Sequence, residues 1–169
     1  QKKLENINLL LEEAVSFIMH GKKSKCNMEL DSNIPLIEID AGQIIQIVHN
    51  LLINADHAML QGGIITISSN VTNIFNDKSL KIPKGKYIKI SVSDQGEGIS
   101  LENQNRIFEP YFTTRTNGSG LGLATAYSII KRHHGQIHFF SNKTTGTTFE
   151  FFLPIIKIER EDKPDKIRN

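Results

Sequence analysis

Asn50 and Asn54, the run Asp94-Gln95-Gly96-Glu97-Gly98 and the run Gly118-Ser119-Gly120-Leu121-Gly122 together offer paired amides, a carboxylate and bare backbone N–H groups. Residues three or four apart are neighbours on a helix surface, so the two amides would aim at one volume. Gln46, Asn50, Asn54 and His57 form a polar stripe of mostly neutral groups. A solvated face usually carries Lys and Glu instead, and Asn is a mediocre helix former. An Asn carbonyl is a hard oxygen ligand suited to Mg²⁺, which keeps several waters and shares phosphate oxygens. Read alone, the stripe also fits an ordinary solvated helix face. His49 and His57 read as surface or stripe-edge groups rather than ligands.

Asp94 closes the alternating segment Tyr87–Ser93, which reads as a strand. A carboxylate at the rim of a buried strand can accept a hydrogen bond from the exocyclic amine of adenine. Guanine offers a carbonyl there, so the contact discriminates. Gly96 and Gly98 would let backbone approach a ring closely. In isolation, Asp-x-Gly is also a common turn. Gly118, Gly120 and Gly122 lead into a segment of helical spacing, Leu121–His133. Bare amides at a helix N-terminus, with the macrodipole behind them, form an anion site. The run lacks the Lys-Ser/Thr ending of a P-loop, and Leu123 stands where a dinucleotide fingerprint would want glycine. Between the two runs lies Ile107-Phe108-Glu109-Pro110-Tyr111-Phe112-Thr113-Thr114-Arg115. Its aromatics could be a simple local anchor, or the anchor of a loop that closes over a ligand. Arg115 is the best-placed cation for a terminal phosphate, because its fork matches phosphate oxygens. Arg106 is the second candidate and could equally form a structural ion pair.

These residues need elements to hold them. Leu4, Ile7, Leu10, Leu11, Val15 and Ile18 have amphipathic spacing, which predicts a helix over 4–19 ended by Gly21. Residues 26–30 alternate as a short strand, and 31–35 read as a turn. Asp40 suits the N-cap of a helix over 41–60 whose apolar face is Ile44, Val48, Leu51, Leu52, Ala55 and Met59. Strands are predicted at 64–68, 87–93, 136–140 and 147–153, with a polar connection over 73–84. The segment 97–119 is long, irregular and glycine-bounded, as expected of a functional or mobile loop. The charged segment 157–169 is expected to be disordered. The predicted architecture is α+β: a two-layer sandwich with helices on one face of a mixed sheet, formed by residues 1–156.

The totals set bounds. At 169 residues and 38% hydrophobic, with nine Phe, the chain can build one core. A net charge of +2 argues against a dedicated nucleic-acid surface. The single cysteine, Cys26, excludes an internal disulfide and fits a reducing compartment, so a cytoplasmic location is expected. No apolar run approaches the roughly 18 residues of a membrane helix, so direct membrane contact is not expected. The chain opens on Gln1 rather than Met and reads as a piece of a longer protein.

Taken in order, the motifs resemble those of sensor histidine kinases. Gln46 to Met59 resembles their N box, with Asn50 to Ala55 as its Asn-Leu-Leu-x-Asn-Ala run. Asp94–Gly98 resembles the G1 box, Phe108–Phe112 the F box, and Gly118-Ser119-Gly120-Leu121-Gly122-Leu123-Ala124 the G2 box. Gly146-Thr147-Thr148-Phe149 is similar to the closing glycine-threonine motif. Asn54–Met59 and Thr113-Thr114-Arg115 look like the nitrogen-regulation type, although that family more often has Lys at the position of Arg115. The resemblance implies the Bergerat ATP-binding sandwich and ATP with Mg²⁺ as cofactors. It implies Asn54 as the metal ligand, Asp94 on the adenine, and Gly118, Gly120 and Gly122 at the phosphates. Gly96, Gly98, Ile99, Phe108, Ser119, Leu121, Leu123 and Thr147 complete the implied nucleotide-binding set, and Asn50, Asn54 and Arg115 the catalytic one.

The family's phosphoacceptor, a His followed by an acid and then a Pro on a dimerising helical hairpin, matches none of the six histidines. The expected partners are therefore that helical domain of the parent protein and, downstream, a response regulator. Asn50 stands where gyrase-like relatives use Glu to activate water. An amide cannot remove a proton, so weak ATP hydrolysis is expected. An anti-sigma-type serine kinase and a nucleotide-gated interaction module without phosphotransfer are the alternatives.

Overall fold

The computed structural model describes residues 1–75, 77–115 and 118–156. The segment 157–169, expected to be disordered, lies outside the described residues. In chain order the elements are β1 (Lys3–Glu5), α1 (Ile7–Ile18), β2 (Lys25–Leu30), β3 (Ile37–Ile39), α2 (Ala41–Ala58) and β4 (Ile64–Ile74). There follow β5 (Gly85–Ser93), α3 (Leu101–Gln104), α4 (Gly122–Arg132), β6 (Gln136–Asn142) and β7 (Gly146–Pro154).

Helix α2 is the central support. Asp40 caps it, its Oδ1 accepting from the Gln43 N–H at 3.1 Å, a contact worth about 1 kcal/mol. Ile44, Ile47, Val48, Leu51, Leu52 and Ala55 are all at most 3% exposed, so one face is wholly in the core. Truncating one of these, as in Leu52→Ala, should cost about 2–5 kcal/mol. The turn after Met59, with Gly62 at φ 81°, ends the helix and starts β4.

A five-stranded sheet runs in the order β2-β4-β5-β7-β6. β2 and β4 are parallel and the other pairs antiparallel. Alternation sends Ile65, Ile67, Ile88, Ile90, Val92, Phe149, Phe151, Leu153 and Ile137 into the same core as α1, α2 and α4. The opposite face carries Thr66, Ser68, Lys89, Ser91, Ser93, Thr148 and Glu150, around a depression of about 480 Å³. This is the expected two-layer α+β sandwich on a mixed sheet.

Three local expectations are corrected. The first helix does not begin at Leu4. Asn6, extended at φ −87° and ψ 108°, caps it through Asn8 N–H at 3.0 Å. Leu4 lies instead in β1, which pairs antiparallel with the unanticipated β3. β4 runs on to Ile74 rather than stopping at Ser68, because its far end joins a small second core with Leu80, Tyr87 and Phe152. The segment 97–119 is not wholly irregular, since Leu101–Gln104 forms a turn of helix, α3.

Candidate nucleotide site

β5 delivers Asp94 to the edge of the helical layer, where it is only 7% exposed. Its backbone N–H donates to the Thr147 carbonyl at 2.8 Å. Its Oδ1 accepts from the N–H of Gly96 at 2.8 Å and of Thr147 at 3.2 Å. Among the described residues, Oδ2 accepts no hydrogen bond. Burial pushes the carboxyl above its usual range, and the Gly96 and Thr147 N–H groups pull part of that back. The result is an acceptor held rigidly by one oxygen, with the other left for a donor from outside.

The glycines of the first run serve the protein's own backbone. A Cβ on Gly96 would lie 2.6 Å from the Ala58 carbonyl oxygen at the end of α2. A Cβ on Gly98, at φ 74°, would lie 2.4 Å from the Asn142 carbonyl oxygen at the end of β6. Gly96 thus brings the end of β5 against the end of α2 and sets Asp94 beside it, while Gly98 approaches the end of β6. Gly146, which sequence reasoning did not place in the site, belongs to it. At φ 91° its Cβ would sit 2.3 Å from the Asp94 carbonyl oxygen. Ser141 was missed as well. Its hydroxyl pairs with Thr147 Oγ1 at 2.8 Å and accepts from the Ile99 N–H at 2.7 Å, so it ties β6, β7 and the segment after Gly98 together.

Asn50 and Asn54 are both half-buried on α2. Asn50 faces the start of α4, where a Cβ added to Gly122 would lie 3.5 Å from Asn50 Oδ1. Leu121, at the N-cap of α4, has no side-chain cap, so the first-turn N–H groups keep their anion-binding capacity. Among the described residues, Ser119 Oγ accepts only from the Leu121 N–H, at 3.4 Å. Leu123 and Ile99 are half-buried and pack on the core rather than standing free.

The aromatic segment is anchored by buried Ile107 and by Phe108 and Phe112, which pack on the core. Phe108 packs against Tyr127, Phe139 and Phe149 with ring centroids 5.5, 6.0 and 6.4 Å away. Tyr111, by contrast, is 76% exposed. Gly120, at φ 71°, permits the backbone of Tyr111 to lie against it, and the Tyr111 N–H donates to its carbonyl at 2.9 Å. Arg106 is engaged locally, 3.3 Å from the Glu109 carboxylate and 4.6 Å above the Phe112 ring.

Arg115 is the arginine at the amide pair. Its Nη2 donates to Asn54 Oδ1 at 2.5 Å, and its Nη1 contacts His57 Nδ1. His57, expected at the stripe edge and not as a ligand, is exposed there and meets Arg115. Partial burial, and then the neighbouring guanidinium, hold its imidazole below the usual range, which favours the neutral form that can accept from Arg115.

The donor set fits a metal brought in with phosphate oxygens. No group of three or more His, Cys, Asp or Glu that could hold a metal alone occurs among the described residues. The half-buried carbonyl oxygen of Asn54 already attracts a cation in the form of Arg115. Mg²⁺ is the ion that accepts one or two protein oxygens and completes its shell with water and phosphate.

Comparison with known proteins agrees with this geometry. Residues 39–157 match the family described as histidine kinase-, DNA gyrase B-, and HSP90-like ATPase. The sensor histidine kinase ZraS of Escherichia coli K12 is 31% identical over 160 residues, 93% of this chain and 32% of that protein. The sensor protein TdiS of Thauera aromatica is 34% identical over 154 residues, 89% of this chain and 27% of that protein. The chain thus spans about a third or less of the length of these relatives. Among solved structures, the catalytic domain of the histidine kinase ThkA is 29% identical with a TM-score of 0.74, covering 91% of this chain and 95% of that one. With the buried Asp94 carboxylate, the two helix amides and the glycine-lined start of α4 in place, the chain belongs to the histidine kinase-, DNA gyrase B- and HSP90-like ATPase family, as an ATP-binding domain of the histidine kinase kind.

Proposed function

We propose that residues 1–156 form one domain that binds Mg²⁺-ATP and presents the γ-phosphate to a histidine on a separate helical domain of the parent protein. The observation that carries this is Asp94, with one oxygen fixed by Gly96 and Thr147 and the other open at the rim of the site. Asp94 would accept from the adenine amine, with Ile99, Phe108 and Thr147 shaping that end. The first-turn N–H groups of α4, reached through Gly118, Ser119, Gly120, Leu121, Gly122 and Leu123, would hold phosphate oxygens. Asn54 would ligate Mg²⁺, which when bound neutralises phosphate charge. Phosphoryl transfer requires mostly positioning and charge stabilisation, and Arg115 is a cation within reach of the same volume.

A neutral imidazole attacks with a lone pair it already has, so the domain needs no strong general base. Asn50 orients water or the metal shell and takes no proton, so hydrolysis is slow. The downstream partner is a response regulator, and the domain works in the cytoplasm. Among the described residues no helix is long and apolar enough to cross a membrane.

The test is γ-phosphate transfer to a supplied helical-hairpin domain carrying the acceptor histidine. Transfer by the unaltered domain, lost in Asp94→Asn and Asn54→Ala, is expected. Normal transfer by both variants would overturn the assignment of roles.

A further inference from the structure

We propose that Arg115, held by Asn54 and His57, occupies the metal position of the nucleotide-free site, so that every Mg²⁺-nucleotide must displace it and only a triphosphate gives it a new partner. This rests on the reading of the site as one for Mg²⁺-nucleotide. The guanidinium uses the same carbonyl oxygen, Asn54 Oδ1, that the metal requires. Two cations cannot share it, because the ligand distance of Mg²⁺ is about 2.0–2.1 Å and like charges repel at that separation. His57, one turn further along α2, provides the second acceptor through Nδ1. The two contacts form a fork-shaped dock matched to one guanidinium face. Any metal–nucleotide complex must therefore undock Arg115.

The two nucleotides differ in what happens next. A terminal phosphate offers the displaced guanidinium two oxygens in bidentate geometry, which offsets the loss of Asn54 and His57. A diphosphate ends one group earlier and leaves Arg115 without that partner. After transfer, return of Arg115 to its dock opposes retention of the product. His57 acts here as a positioning residue, touching neither nucleotide nor metal.

The experiment is titration calorimetry of the whole chain with Mg²⁺-ATP and Mg²⁺-ADP. In His57→Ala the dock is weakened for both ligands, so both affinities should rise by the same factor, about three- to tenfold for one partly exposed hydrogen bond. In Arg115→Ala the competitor is gone, so ADP should bind more tightly while the ratio of ATP to ADP affinity falls toward one. Unchanged affinities in His57→Ala, or an Arg115→Ala variant that keeps the wild-type ratio, would overturn the proposal. These outcomes are separable from failure of the underlying reading, which would show as no Mg²⁺-ATP binding by the unaltered chain and would remove both.

Discussion

Replacing Asp94 by Asn separates recognition from folding, because the two oxygens of Asp94 have different work. Oδ1 accepts from Gly96 and Thr147, and an amide carbonyl can accept both. In that orientation the new NH₂ replaces Oδ2 and faces the adenine amine, donor against donor. The variant loses a hydrogen bond to a charged acceptor, about 1.5–3 kcal/mol, and buries an unpaired donor, about 1–3 kcal/mol. The expected loss of ATP affinity is on the order of 10²- to 10⁴-fold. Discrimination against GTP should collapse, since an amide NH₂ can donate to the guanine carbonyl. Stability should move the other way. The folded carboxyl titrates above its unfolded value, so the native protein is relatively most stable below that value and loses stability as pH rises toward the folded one. Asn carries no such penalty, so at pH 7 the variant should melt no lower than the native chain. Calorimetry with ATP and GTP, alongside thermal melts, reads both effects. ATP binding within threefold of wild type, or a melt several degrees lower, would show that the two oxygens do not divide the work in this way.

Other outcomes follow from the same structure. Gly146→Ala should destabilise by about 2 kcal/mol or more, since its Cβ would sit 2.3 Å from the Asp94 carbonyl oxygen at a positive φ, and denaturant unfolding measures it. His133 is 3% exposed, with Nδ1 on the Ile129 carbonyl and Nε2 accepting from the Asp40 N–H at 3.1 Å, so it links the end of α4 to the cap of α2. Burial, partly opposed by the Ile129 contact, lowers its folded pKa, so stability should fall as pH drops below about 6.5, and melts of His133→Gln should lack that decline. Residues 99–115 should gain amide-exchange protection on nucleotide binding, with unchanged protection contradicting their role as a lid.

The parts of the site carried by local pattern were legible in the sequence. Asn50 and Asn54 lie one turn apart on a helix whose cap and apolar face are both encoded nearby, and the structure sets Asn50 against the start of α4 and Asn54 on Arg115. Asp94 was legible because a strand pattern stops at it and glycines follow. What escaped depends on partners far along the chain. β3 is only three residues long and exists by pairing with β1, so no periodicity announces it. Gly146 packs on Asp94 and His57 meets Arg115 across 52 and 58 positions, so their roles appear only once the strands and helices are assembled. The glycines 96 and 98 were noticed for close backbone approach, but the backbone they approach is that of Ala58 and Asn142. The sequence put Arg115 ahead of Arg106, and the structure adds that Glu109 and Phe112 engage Arg106 locally.

The central claim is that ATP binds with Mg²⁺ between α2 and the start of α4, its purine held by Asp94. Titration calorimetry of the folded chain with ATP, in magnesium and in chelator, tests it most directly. Saturable one-site binding that requires magnesium and is abolished by Asp94→Asn is predicted. A well-folded chain that takes up no ATP in magnesium would contradict it.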